Sequence, residues 1–163
     1  MDQLRLEGRE MGFVEAVRTC LRKYVDFTGR AARAEYWWFV LFCILVGFVA
    51  GLLDAVVAPG FVAAYQSGPL GMLSSLALLL PSLAVCVRRL HDLDRTGWWS
   101  LALYAATLVL SGAIAAAFAL QPGVSILLGL MLLAILVVMI VWLATKGTTG
   151  PNRFGPDPLT PGA

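Results

Sequence analysis

Residues 124–144 read VSILLGLMLLAILVVMIVWLA, a stretch with no charged residue and with Ser125 as its one polar side chain. A helix of this length rises about 31 Å, enough to cross a hydrocarbon core about 30 Å thick. No polar–apolar alternation with a period of two runs through it, so it does not read as a strand of a membrane barrel. Three other stretches have comparable length and apolarity: residues 37–57, 70–87 and 98–120. The second holds Pro81, which removes a backbone donor and is expected to kink the helix, a defect that membrane helices tolerate. Composition agrees, since 60% of the 163 residues are apolar, 13% are charged and the mean hydropathy is +0.82. That balance excludes an ordinary soluble domain.

Charge placement tests the four spans independently. Arg5, Arg9, Arg18, Arg22, Lys23, Arg30 and Arg33 precede the first span, Arg88, Arg89 and Arg95 separate the second from the third, and Lys146 and Arg153 follow the fourth. Together they are all 12 basic residues, and the connections 58–69 and 121–123 carry no charge. Four crossings place every basic residue on one side, the positive-inside pattern, whereas three or five would scatter them. The expected fold is therefore all-α: an integral membrane bundle of four transmembrane helices with both termini cytoplasmic. It divides into a cytoplasmic segment 1–36, a transmembrane domain 37–144 and a Gly/Pro-rich cytoplasmic tail 145–163. Residues 1–36 are too long and too mixed in charge for a secretory n-region, and no cleavage is expected.

Within that N-terminal segment Phe13, Val17, Cys20, Leu21 and Tyr24 fall at helical spacing, with Glu15, Arg18, Thr19, Arg22 and Lys23 on the remaining surface. This reads as an amphipathic interfacial helix in the headgroup region. A short cytoplasmic helix packed on the loops has the same pattern. Trp37 and Trp38 open the first span, Trp98 and Trp99 open the third and Trp142 closes the fourth, so all five tryptophans mark one boundary. Indole pairs an apolar body with one N–H donor and settles at the water–lipid boundary; anchoring explains the belt more simply than ligand stacking.

Three polar segments stand at the ends of the spans: FTGRAARAEYWWF (27–39), RRLHDLDRTGWW (88–99) and KGTTGPNRFGPDP (146–158). In order and spacing they resemble the signature blocks of domain-of-unknown-function family 805, small bacterial inner-membrane proteins, over about residues 13–158. Asp94 stands where that family often has glycine, and Thr96 where it often has serine. The resemblance implies the fold and a bacterial inner-membrane location. It implies no activity, cofactor or catalytic residue, because the family has no established biochemical role.

The three blocks lie at the cytoplasmic ends of the spans, where Arg30, Arg33, Glu35, Arg88, Arg89, His91, Asp92, Asp94, Arg95, Asn152, Arg153 and Asp157 form a polar layer. Glu35, near a helix N-terminus, sits where the macrodipole favours an anion. Arg88 and Arg89 end the second span, where cations suit a helix C-terminus and guanidinium groups can reach lipid phosphates. Replacing both by alanine is expected to weaken anionic-lipid binding without unfolding the bundle. His91 beside Asp92 has the composition of an oriented imidazole for general acid–base work, although adjacency does not guarantee contact. A structural staple of salt bridges is the preferred reading. Thr96 is a candidate N-cap for the third span, with Gly97 as the turn. Composition makes the tail a solvated loop, while the family blocks bring Asn152, Arg153 and Phe154 back onto the layer.

One histidine and the separated Cys20, Cys43 and Cys86 give no metal-ligand spacing. KGTTGPN is not a phosphate-binding loop, no GxSxG elbow is present, and no basic–aromatic surface points to nucleic acid. Asp54, the one carboxylate within the lipid depth, is expected at the outer interface. Gly47 and Gly51 form a GxxxG that permits, without specifying, close helix contact or a homo-oligomer. Two functions follow. In the first, a non-enzymatic membrane protein binds anionic headgroups or a protein partner through its arginine-rich face. The second is a small oligomeric transporter or channel, which needs a water path near Ser74, Ser75, Thr107 or Ser111.

Overall fold

The computed structural model describes residues 11–160. Arg5 and Arg9, counted above with the basic residues ahead of the first span, lie outside the described residues. Six helices follow in order: α1 Phe13–Arg22, α2 Arg33–Val57, α3 Pro59–Tyr65, α4 Pro69–Asp92, α5 Trp98–Leu120 and α6 Pro122–Ala144. Of these, α2, α4, α5 and α6 are long and apolar enough to cross a membrane. They alternate in direction, so the N-termini of α2 and α5 meet the C-termini of α4 and α6 at one end.

Proline marks the other end. Pro59, Pro69 and Pro122 each stand in the first turn of a helix, where the missing N–H would have no intrahelical partner and the fixed φ suits helix entry. Ahead of Pro59, Ala58 leaves the helical region (φ −135°, ψ 51°), which stops α2. The uncharged connection 58–69 thus contains the short helix α3, which periodicity did not single out. Gln66 ends it in the left-handed region (φ 59°). Between α5 and α6 only Gln121 is non-helical.

Asp54, expected at the outer interface, stands in the last turn of α2 at the end that these prolines mark. It is 1% exposed and turns inward, accepting from Leu70 N at 3.0 Å and Gly71 N at 2.8 Å. The first N–H groups of α4 have no intrahelical acceptor and carry the positive end of the helix dipole, so a carboxylate from α2 caps them across the tertiary fold. A Cβ at Gly68 would lie 2.0 Å from Asp54 Cγ, so the close approach requires glycine.

Pro81 lies inside α4 and leaves the carbonyl of Ala77, four residues back, without its helical donor. The Tyr24 hydroxyl donates to that carbonyl. Thr96 does not cap α5: the N-cap is Gly97, with no side-chain cap bond. A Cβ at Gly97 would lie 2.7 Å from Val87 Cγ1, so α4 closes on the turn itself. At Gly47 and Gly51 an added Cβ would meet nothing within 4 Å, so the GxxxG is not a helix-packing seam within this chain.

Two buried apolar clusters share the end opposite the prolines. Cys20, Ala31, Phe39 and Val85 form one; Cys86, Leu90 and Leu143 form the other; and Tyr36 packs against both. Toward the far end Leu and Val side chains of all four long helices face outward, Leu108 at 76% and Leu127 at 67% exposed. Such surface is the kind that lipid covers.

Candidate functional site

The end that carries both clusters also carries a buried polar layer, and it begins with a turn. Asp26 accepts from Thr28 N at 3.0 Å and Thr28 Oγ1 at 2.6 Å, and these bonds hold its carboxyl below the usual aspartate range. Gly29, at φ +74°, then redirects the chain so that Ala31 N reaches Arg88 O at 3.0 Å. The turn therefore aims backbone carbonyls at the last two turns of α4.

Arg88 is fully buried. Its Nη2 donates to Glu35 Oε1 at 2.8 Å, and its Nη1 donates to Asp26 O at 2.7 Å and Lys23 O at 3.3 Å. Glu35 occupies the first turn of α2, as the dipole argument expects, and is itself buried. The Cys20 thiol lies 3.7 Å from Glu35 Oε1. Burial first, and then the Glu35 charge, push that thiol up to about 12, so it stays protonated and unreactive.

Asp92, the last residue of α4, joins two arginines. Its Oδ1 takes Arg30 Nη2 at 2.8 Å and Nε at 3.0 Å, while Oδ2 takes Arg89 Nη1. Arg89, also without exposure, turns its remaining donors to the end of α6, with Nε on Leu143 O at 3.0 Å and Nη2 on Thr145 O. These are orphan carbonyls of a helix C-terminus, and a guanidinium satisfies both their hydrogen bonding and their dipole.

The tail folds back onto this layer and is not a solvated strand of loop over its described residues. Arg30 donates to Thr148 O and to Gly150 O, the latter at 2.6 Å. Thr148 returns two bonds to Asp92 O, from N at 2.9 Å and Oγ1 at 3.1 Å. Asn152 Nδ2 donates to His91 O at 2.9 Å, and Phe154 stacks on the His91 ring with centroids 3.9 Å apart. Asp157 accepts from Gly150 N and Leu159 N, both at 3.0 Å, which holds its carboxyl below the usual range.

The expected layer is thus assembled from Arg30, Glu35, Arg88, Arg89, His91, Asp92 and Asn152. Arg95 lies at its rim with its guanidinium 3.9 Å over the Trp142 ring, and Arg153 pairs with Asp94 at 3.0 Å on the surface. Arg33, the first residue of α2, is exposed and stands apart. One expectation needs correction, and the less favoured dyad reading falls. Arg88 and Arg89 do not face lipid phosphates, because α4 continues through Asp92 and folds both into the protein, where carboxylates and carbonyls take up their donors except Arg88 Nε, which is buried without a partner. Nor do His91 and Asp92 form a dyad: both Asp92 oxygens serve arginines, and His91 Nδ1 lies 3.1 Å from Gly29 O. A carbonyl only accepts, so Nδ1 carries the proton.

Sequence reading passed over Asp26 and Thr148, although the Asp-x-Thr-Gly run is a legible turn signal. Three of the four hydroxyls proposed for a water path bond within their own helices: Ser74 to Gly71 O, Thr107 to Tyr104 O and Ser111 to Thr107 O. No three His, Cys, Asp or Glu side chains converge among the described residues.

The family described as Protein of unknown function (DUF805) matches residues 24–156. The chain belongs to that family. Inner membrane protein YhaH of Escherichia coli strain K12 is 38% identical over 138 residues, covering 85% of this chain and 91% of the relative. Inner membrane protein YhaI of the same strain is 36% identical over 138 residues, covering 85% and 90%. No solved structure matches. The DUF805 segment contains every residue of the buried layer and all four long helices, while α1 precedes it. With inner-membrane relatives and four apolar helices, this DUF805 chain is a multi-pass membrane protein.

Proposed function

We propose that this chain is a non-enzymatic protein of the bacterial inner membrane, with both termini cytoplasmic, whose arginine-rich cytoplasmic face binds anionic phospholipid headgroups or a membrane partner. The observation that carries this reading is the division between buried and exposed charge. Glu35 and Asp92 offset two of the three charges on Arg30, Arg88 and Arg89, and every guanidinium nitrogen of the three except Arg88 Nε donates to a protein acceptor. Outside that layer Arg18, Arg22, Lys23, Arg33, Lys146 and Arg153 are exposed, against Glu15 and Asp94 as the exposed acids among the described residues. Asp94 is already paired with Arg153. The buried layer acts as the staple, and the exposed cations form the binding face.

All the described basic residues lie at the end of the bundle that holds the tryptophans, which by the positive-inside rule is the cytoplasmic end. Each exposed cation near an anionic surface contributes about 1 kcal/mol. Native mass spectrometry of the protein released from mixed phosphatidylglycerol–phosphatidylcholine membranes tests the reading. Phosphatidylglycerol, or a defined protein partner, should be retained in preference to phosphatidylcholine. A bare symmetric oligomer with neither would overturn the reading in favour of a pore or transporter.

A further inference from the structure

The packing of α1 against α2 leaves an open groove of about 490 Å³ between them. Phe13, Val14, Val17 and Leu21 of α1 form one wall and Phe42 of α2 the other, so the interior is almost wholly apolar. Arg18 and Arg22, one helical turn apart, line its edge. Both are exposed, and neither has an acidic partner within salt-bridge distance among the described residues. Phe42 lies between one and two turns beyond Trp37 and Trp38, the boundary tryptophans, so the α2 wall starts at headgroup level and runs into hydrocarbon depth. Phe13 meets Trp38 edge-on at 5.9 Å, which ties the α1 wall to the same belt.

We infer that this groove is a binding site for one anionic phospholipid, with its acyl chain along Val17, Leu21 and Phe42 and its phosphate held by Arg18 and Arg22. The two parts of the site match the two parts of such a molecule. Apolar walls remove hydrocarbon from water, and two planar guanidinium forks offer paired donors to phosphate oxygens. Glu15, exposed one turn before Arg18 on the same stripe of α1, forms no ion pair with it, so the place where charge suits an anion is between Arg18 and Arg22. The site rests on the headgroup-binding reading above and makes it specific to α1, outside the segment that the family match covers.

The test uses the full chain in phosphatidylglycerol vesicles containing a trace of phosphatidylglycerol with a photoactivatable group on one acyl chain. The readout is the ratio of label on residues 13–22 to label on α6, whose outward face contacts bulk lipid in every variant. Replacing Arg18 and Arg22 together by alanine should lower that ratio about tenfold or more, consistent with the loss of two surface cations. Arg18→Lys with Arg22→Lys should recover much of it. Both positions are exposed, so the variants should fold as the wild type does, and an unchanged α6 label checks this. An unchanged ratio in the alanine pair, or equal labelling from the phosphatidylcholine analogue, overturns the groove site. If phosphatidylglycerol is still retained in the mass spectrum, the broader headgroup reading survives that outcome.

Discussion

Arg88 carries a full charge with no exposed surface, and Glu35 with the carbonyls of Asp26 and Lys23 makes that burial tolerable. Removing one member of a buried pair strands the other, a loss of about 3–5 kcal/mol. Arg88→Ala should therefore lower the thermal midpoint of the detergent-solubilised protein sharply, as read by size-exclusion fluorescence after heating; an unchanged midpoint would show that the pair is dispensable. Lysine at this position should recover little, since it lacks the fork that reaches Glu35 and the turn carbonyls together. The sequence-based expectation that Arg88 and Arg89 are removable without unfolding the bundle is reversed by their burial. Their position after an apolar run reads equally well as two snorkelling cations or as two buried ones. Only the Asp26–Gly29 turn, folding over α4, decides between them.

At the scale of elements, the connection between α6 and the tail depends on Gly147. A Cβ there would lie 1.9 Å from Asp92 Oδ2, so alanine would displace the carboxylate from Arg89 or push the tail away. Gly147→Ala should raise trypsin cleavage at Lys146 and Arg153 several-fold while leaving the spans protected, as intact-mass spectrometry would show. Gly112→Ala, where an added Cβ meets nothing, should not change the cleavage rate. At the opposite end, Asp54→Ala leaves Leu70 N and Gly71 N without their acceptor. A lost N-cap costs about 1–2 kcal/mol, and Asp54→Asn should recover most of it. A hydrogen-exchange rate at these two amides that is the same in wild type and Asp54→Ala would rule out the cap. Glycine and proline content correctly marked the tail as non-helical. It could not show that the tail is held, because its carbonyls are satisfied by Arg30, a residue 118 positions away from Thr148.

For the whole molecule, four crossings place the two ends of the described chain on one side and the Gln121 hairpin on the other. A reporter active only outside the cytoplasm should be inactive when fused after Thr160 and active when inserted at Gly123. Activity at Thr160 would overturn the cytoplasmic assignment of the termini. The asymmetry of charge is what predicts this orientation, because connections 58–69 and 121–123 carry no basic residue that would resist translocation.

Periodicity and charge in the sequence alone determined the helical class, the four spans to within a few residues at their ends, and the side on which the polar blocks gather. Each of these follows from local composition meeting one solvent, hydrocarbon, which admits few backbone solutions. The tertiary structure alone decided the partners: Asp54 capping α4, Tyr24 answering the carbonyl that Pro81 frees, Asp92 between Arg30 and Arg89, and His91 against Phe154 instead of Asp92. Those choices join residues distant in the chain through distances and burial, and a polar side chain at a helix end looks the same in sequence whether it faces water, lipid or protein.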